Sequence, residues 1–88
     1  MSSYAISLKN SVEKDCRKIP KEILAHIFLE VENLSMDPLP HDSRKLAGAE
    51  SLYRIRVGDY RIIYQVLHES REVIVFYIRH RSVAYRGI

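Results

Sequence analysis

Hydrophobic and polar positions change rhythm twice along this chain, and each change marks a different kind of element. Tyr4-Ala5-Ile6-Ser7-Leu8 alternates as a short half-buried strand does. From Val12 the apolar residues shift to helical spacing. Val12, Cys16 and Ile19 line a short helix that Asn10 or Ser11 caps, with Glu13 and Lys14 in its first turn. Ile23, Leu24, Ile27, Phe28, Val31 and Leu34 then form the buried stripe of a second helix. Pro20 opens that helix at its first turn, where a missing N–H costs nothing, and Asp37-Pro38-Leu39-Pro40 stops it. Residues 37–51 follow as a polar connection rich in proline, glycine and charge.

Alternation returns in Leu52–Val57 and Tyr60–Val66, separated by Gly58-Asp59. Glycine in first place suits a type II′ hairpin turn, because only glycine takes positive φ there without a steric cost. Such a turn sets Val57 opposite Tyr60, Arg56 opposite Arg61, Ile55 opposite Ile62 and Arg54 opposite Ile63. Arg54, Arg56 and Arg61 then share one face, and Tyr53, Ile55, Val57, Tyr60, Ile62 and Tyr64 share the other. After the turn His68-Glu69-Ser70-Arg71, the run Glu72–Arg79 is too apolar for a one-sided edge strand and reads as an interior strand. His80–Arg86 ends the chain as a loop or a single helical turn. The expected fold is α+β, a single domain over residues 1–88 in the order β-α-α-β-β-β. Its sheet is mainly antiparallel, with the two N-terminal helices packed on one face and the other face open to a ligand.

Composition narrows the classes. At 88 residues, 47% hydrophobic and 28% charged, the chain is an ordinary globular domain rather than a disordered one. No apolar run approaches the roughly 20 residues of a membrane span, and Lys9, Asn10 and Glu13 interrupt any signal-peptide core. Cys16 stands alone, which excludes an internal disulfide and a cysteine-based zinc site. A cytoplasmic protein without cofactor, metal or membrane contact is expected.

The net charge of +3 is distributed unevenly. Residues 1–45 hold seven basic and seven acidic side chains, whereas residues 46–88 hold seven basic and four acidic ones. All seven are arginine: Arg54, Arg56, Arg61, Arg71, Arg79, Arg81 and Arg86. Arginine offers a planar fork matched to phosphate and can stack on bases. Like charges directly across a hairpin are unfavourable, so an anion is the simplest compensation for the Arg56–Arg61 pair.

Arg54, Arg56 and Arg61, joined from the C-terminus by Arg81 and Tyr85, suit single-stranded nucleic acid: guanidinium groups hold the backbone and the ring stacks on a base. They also suit RNA cleavage by its own 2′-hydroxyl, since that attack builds negative charge on phosphoryl oxygens which preorganised cations stabilise. Arginine cannot take the 2′-OH proton. The imidazole of His80 and the phenol of Tyr85 are the groups that could. His26, His41 and His68 read as surface or loop residues. The chain has no glycine-rich phosphate loop, no metal-ligand spacing and no Ser-His-Asp signal.

Lys45-Leu46-Ala47-Gly48, Leu52–Tyr64 and His80-Arg81-Ser82-Val83-Ala84-Tyr85-Arg86 resemble the RelE toxins of the RelE/ParE superfamily, over about residues 4–86. The resemblance implies a toxin of a type II toxin–antitoxin pair that enters the ribosomal 30S A site and cuts mRNA there through 2′-OH attack, leaving a 2′,3′-cyclic phosphate. It implies a cognate RelB-like antitoxin, taken as forming a heterotetramer, and a pair that represses its own operon. By position, Arg54 and Arg56 match basic residues that stabilise charge or assist proton removal. Arg61 matches the arginine that holds the scissile phosphate, Arg81 the one that serves the leaving oxygen, and Tyr85 the tyrosine that stacks on the substrate base. Arg79, His80 and Arg86 flank them as RNA contacts, and Arg79 can take the part given to Arg81. Arginine at both 54 and 56 departs from the lysines often found there and removes any lysine base. A ParE-like toxin that poisons DNA gyrase without catalysis, and an inactive toxin kept as a corepressor, are the alternatives.

Overall fold

The computed structural model describes residues 3–48 and 50–87. Within them the elements are β1 (Ala5–Leu8), α1 (Asn10–Cys16), α2 (Lys21–Asn33), β2 (Arg44–Lys45), β3 (Leu52–Val57), β4 (Tyr60–Leu67) and β5 (Glu72–His80). They form one sheet in the order β1-β5-β4-β3-β2, parallel only between β1 and β5. The fold is α+β, as expected.

The hairpin takes the register its turn dictates, with Val57 opposite Tyr60, Arg56 opposite Arg61, Ile55 opposite Ile62 and Arg54 opposite Ile63. Gly58 has φ +58° while Asp59 stays out of the left-handed region, as a type II′ turn requires. Ile55, Ile62, Tyr64, Val66, Val73, Val75 and Ile78 of the sheet bury themselves against Val12, Ile19, Ile27, Val31 and Leu34 of the helical half. Ile27 is fully buried because α2 turns Ile27, Val31 and Leu34 to the sheet, with Leu24 and Phe28 at the flanks. Ile23, expected in that stripe, instead lies among the exposed apolar residues.

Three further details depart from the sequence reading. The polar connection contains β2, whose Arg44 and Lys45 pair with Arg54 and Tyr53. Two charged residues carry no alternation signal, so only the neighbouring strand makes them a strand. Helix α1 starts at Asn10 with Lys9 as its N-cap, whose ammonium cannot accept a backbone N–H, so there is no side-chain cap; Ser11 lies inside the helix and its hydroxyl is committed to the carbonyl of Phe76. Pro20 occupies the N-cap position of α2 rather than its first turn.

The commitment of Ser11 belongs to a wider arrangement. β1 accompanies β5 only as far as the Leu8–Val75 pair, which leaves the rest of that edge unpaired. Helix α1 takes over from there. The Lys9 N–H donates to the Val75 carbonyl at 2.9 Å, and the Asp15 Oδ2 accepts the Ile78 N–H at 3.0 Å. Between these contacts β5 carries a bulge: Ile63 faces Tyr77 but Tyr64 faces Val75, so Phe76 is the extra residue. The bulge lets Val75 and Ile78, three apart, both face the core, and it turns Tyr77 to the opposite face.

Tyr64, at 0% exposure, donates its hydroxyl to the Pro38 carbonyl at 2.9 Å and thereby ties the chain after α2 to the central strand. Burial pushes its pKa well above the ordinary tyrosine value. An unfolded chain ionises this phenol first, so the stability it contributes is complete below about pH 10 and is lost as pH rises beyond that. Tyr64→Phe should cost about 0.5–1.5 kcal/mol at neutral pH through the lost hydrogen bond and flatten that alkaline fall. Urea denaturation at neutral pH and at alkaline pH checks both effects.

Candidate functional site

Register places the arginines. Arg56 pairs with Arg61 across the hairpin, and Arg61 pairs with Arg79 across the next ladder. Strand alternation points all three away from the helices, so β3, β4 and β5 present an unbroken row of guanidinium groups near the hairpin tip. One row further from the tip, Arg44, Arg54, Ile63 and Tyr77 follow one another across four strands. Ile63 has 0% exposure although it lies outside the main core, and Ala84 has 1%. The C-terminal turn therefore covers part of a face that the sequence reading left open.

The row is held in distinct ways. Arg61 Nη1 donates to the carbonyls of Gly58 and Tyr60, both at 3.1 Å, so the hairpin turn anchors it. Arg79 stacks its guanidinium 3.7 Å above the Tyr77 ring centroid and donates from Nη1 to the Arg86 carbonyl at 2.8 Å. The side chains of Arg54 and Arg56 have no hydrogen bond or ion pair among the described residues. They are available to a ligand.

Arg81 sits outside the row. Its N–H donates to the Asp59 carbonyl at 2.7 Å, and its Nε lies 3.8 Å from Asp59 Oδ1. Both side chains are largely exposed, so the ion pair is weak, and its role is to bring the chain after β5 back to the hairpin tip. Tyr85, 47% exposed, reaches the other end of the face, where it lines a hollow of about 330 Å³ with Lys45, Leu46, Ala47 and Arg54. An aromatic ring thus stands beside one free arginine.

His80 goes elsewhere. It pairs with Tyr60, a core-side position, and packs edge-on against that ring at 5.6 Å, with Nδ1 2.8 Å from the Ser82 Oγ. The structure therefore brings Arg54, Arg56, Arg61, Arg79 and Tyr85 onto one face, with Arg81 at its rim and Arg86 supplying a carbonyl. It turns His80 toward the opposite face. Sequence reasoning missed Tyr77 as the platform for Arg79, because the bulge hides the change of phase. It also missed Asp59 as the partner of Arg81, for which the only signal was its place in the turn. No group of three or more potential metal ligands occurs among the described residues, and no described helix is long and apolar enough to cross a membrane.

Comparison with characterised proteins places this small, mainly antiparallel sheet backed by two helices in a known toxin class. Residues 6–85 match the family described as ParE toxin of type II toxin–antitoxin system, parDE. The chain is 31% identical over 87 residues to toxin RelG of Mycobacterium tuberculosis, spanning 94% of this chain and 97% of that one. It is 35% identical over 77 residues to toxin RelE3 of Methanocaldococcus jannaschii, spanning 82% and 84%. The archaeal RelE–RelB complex from Pyrococcus horikoshii OT3 contains a chain that superposes with a TM-score of 0.80 at 29% identity, covering 96% of this chain and 100% of that one. The chain belongs to the RelE/ParE superfamily of type II toxin–antitoxin toxins and is a RelE-type member.

The arginine row has an energetic signature. Like charges directly opposite across a ladder destabilise by about 0.2–1 kcal/mol per pair, and salt screens that repulsion. Arg56→Gln should therefore raise stability at low ionic strength, with the gain fading as salt is added. Thermal melts of both proteins across a salt series check this.

Proposed function

We propose that this toxin is a ribosome-dependent endoribonuclease that cuts mRNA at the A-site codon and so stops translation. The observation that carries the reading is the in-register row of Arg56, Arg61 and Arg79, with Tyr85 standing beside Arg54 at the end of the same face. In the cleavage step the 2′-oxygen attacks the adjacent phosphorus, the P–O5′ bond breaks, and a 2′,3′-cyclic phosphate and a 5′-hydroxyl result. Negative charge accumulates on the non-bridging oxygens, where Arg61, already oriented by the turn carbonyls, holds the scissile phosphate. Arg54 and Arg56 stabilise the attacking side. Arg79 or Arg81 serves the leaving oxygen, and the row favours Arg79, while Arg81 positions the tail against Asp59. Tyr85 stacks on a substrate base.

No arginine can accept the 2′-OH proton, and the orientation of His80 toward the opposite face argues against its doing so. With Tyr85 assigned to base stacking, the proton leaves to a group contributed by the ribosome–mRNA complex, and the departing 5′-oxygen takes one from the same complex or from water, which is the chemical reason for ribosome dependence. Each orienting guanidinium is worth about 2.7–4 kcal/mol of barrier, by analogy with a lost oxyanion donor.

A cognate RelB-like antitoxin completes the system, as a partner that wraps the toxin in a heterotetramer, blocks the arginine face and joins it in repressing the operon. The RelE–RelB assembly of the Pyrococcus horikoshii structure supports that partner. The match to a family described by its ParE members keeps gyrase poisoning as the second reading.

Arg61→Ala should reduce mRNA cleavage by a factor of about 100 or more while leaving the fold nearly unchanged, since Arg61 is only half-buried and the two turn carbonyls it holds can bond water instead. Primer extension on a translated reporter mRNA after brief induction, beside a supercoiling assay, decides the matter. Codon-phased cuts from the parental protein alone support the ribonuclease. Intact mRNA with inhibited supercoiling transfers the case to gyrase, and neither effect points to the inactive corepressor.

A further inference from the structure

At the edge of β5, where α1 and the C-terminal turn approach each other, lies a second hollow of about 330 Å³ that the proposed cleavage does not use. Ile19, Ile78 and Val83 give it an apolar floor, and the ring of Tyr60 forms an aromatic wall. Its rim is cationic: Lys18, Arg79 and Arg86, with the His80 imidazole beside them, stand against the single carboxylate of Asp15. The volume is at the lower end of the roughly 300–1,000 Å³ that accommodates small ligands.

We propose that this hollow is a nucleotide subsite, with the base against Tyr60, Ile19 and Val83 and the phosphate on Lys18 and Arg86. Arg79 is what favours RNA over other anions. It belongs both to the arginine row and to the lining of the hollow, so a strand that leaves the row and turns round the edge of β5 reaches the hollow. Asp15 gives the subsite a preference. Its Oδ2 is committed to the Ile78 N–H, while Oδ1 has no partner among the described residues. A carboxylate oxygen accepts only, so it favours bases that present an exocyclic amine, such as adenine, over uracil, whose single ring N–H lies between two carbonyl oxygens that the carboxylate repels. Asp15 is half-buried, and a partly desolvated acceptor left unpaired by the wrong base discriminates by about tenfold. The biological role of the subsite rests on the RNA-cleaving reading, but binding there does not require cleavage.

The test uses the full chain with adenosine 5′-monophosphate and uridine 5′-monophosphate as probes, followed by calorimetry and by amide shift mapping. The expected result is that the adenine nucleotide binds about tenfold more tightly and shifts the amides of Lys18, Ile19, Ile78 and Val83. Asp15→Asn keeps an oxygen for the Ile78 N–H but offers a donor to the hollow, so it should shift the preference toward uridine. Val83→Trp fills the space and should abolish binding of both nucleotides, with circular dichroism showing that the fold survives. Equal affinity for the two nucleotides, unaltered by Asp15→Asn, would overturn the subsite. So would shifts confined to Arg54–Arg61, or an oligoglutamate peptide that occupies the hollow where neither nucleotide does. If nucleotide binds as described while translated mRNA stays intact, the subsite stands and the ribonuclease reading falls. If mRNA is cut but neither nucleotide binds, the reverse holds.

Discussion

The placement of every functional side chain on this toxin depends on the burial of one strand. β4 has neighbours on both edges and contacts on both faces, with Ile62 and Tyr64 fully buried on the helix side and Arg61 between Arg56 and Arg79 on the other. Because side chains alternate strictly, a one-residue slip would send Arg61 into the core and lift Ile62 and Tyr64 out of it. Burying an unpaired guanidinium and exposing two large apolar side chains are both costly, at about 1.5–3 kcal/mol for each apolar side chain alone. The core therefore enforces the register, and the register builds the arginine row.

That row is an unfavourable arrangement for a protein standing alone. Like charges sit opposite one another across two ladders, and the available compensation is local: carbonyls of the hairpin turn for Arg61, and the Tyr77 ring and the Arg86 carbonyl for Arg79. These contacts orient the guanidinium groups without neutralising them. Stability is given up for a preorganised cationic surface, a trade common at functional sites. An antitoxin that covered the face would relieve the same repulsion and so stabilise the toxin.

The sheet edges show how a small domain contains its own hazards. β1 protects only half of β5, and α1 completes the task with a backbone N–H, the Ser11 hydroxyl and the Asp15 carboxylate. On the far side, the two charged residues of β2 cover the start of β3. A consequence is that α1 is fastened to the edge of β5 and not only to the core, which brings Lys18 and Ile19 within reach of the C-terminal turn.

Period and turn chemistry were enough to read the helices, the three long strands, the hairpin register and the common face of Arg54, Arg56 and Arg61 from the chain alone, because each is a local property. Strand alternation needs only neighbours in sequence, and Gly58 specifies its own turn. What required the tertiary structure involves residues far apart in the chain. Arg79 joins Arg61 only through a ladder whose bulge at Phe76 changes the phase of β5, and Tyr77 becomes its platform for the same reason. Arg44-Lys45 is a strand only because β3 lies beside it, and His80 turns from the arginine face because the register opposes it to Tyr60. Ser11 and Asp15 serve the edge of β5 because β1 ends early. The local code could name the arginines; only the folded sheet, through long-range hydrogen-bond register, could decide which of them stand side by side.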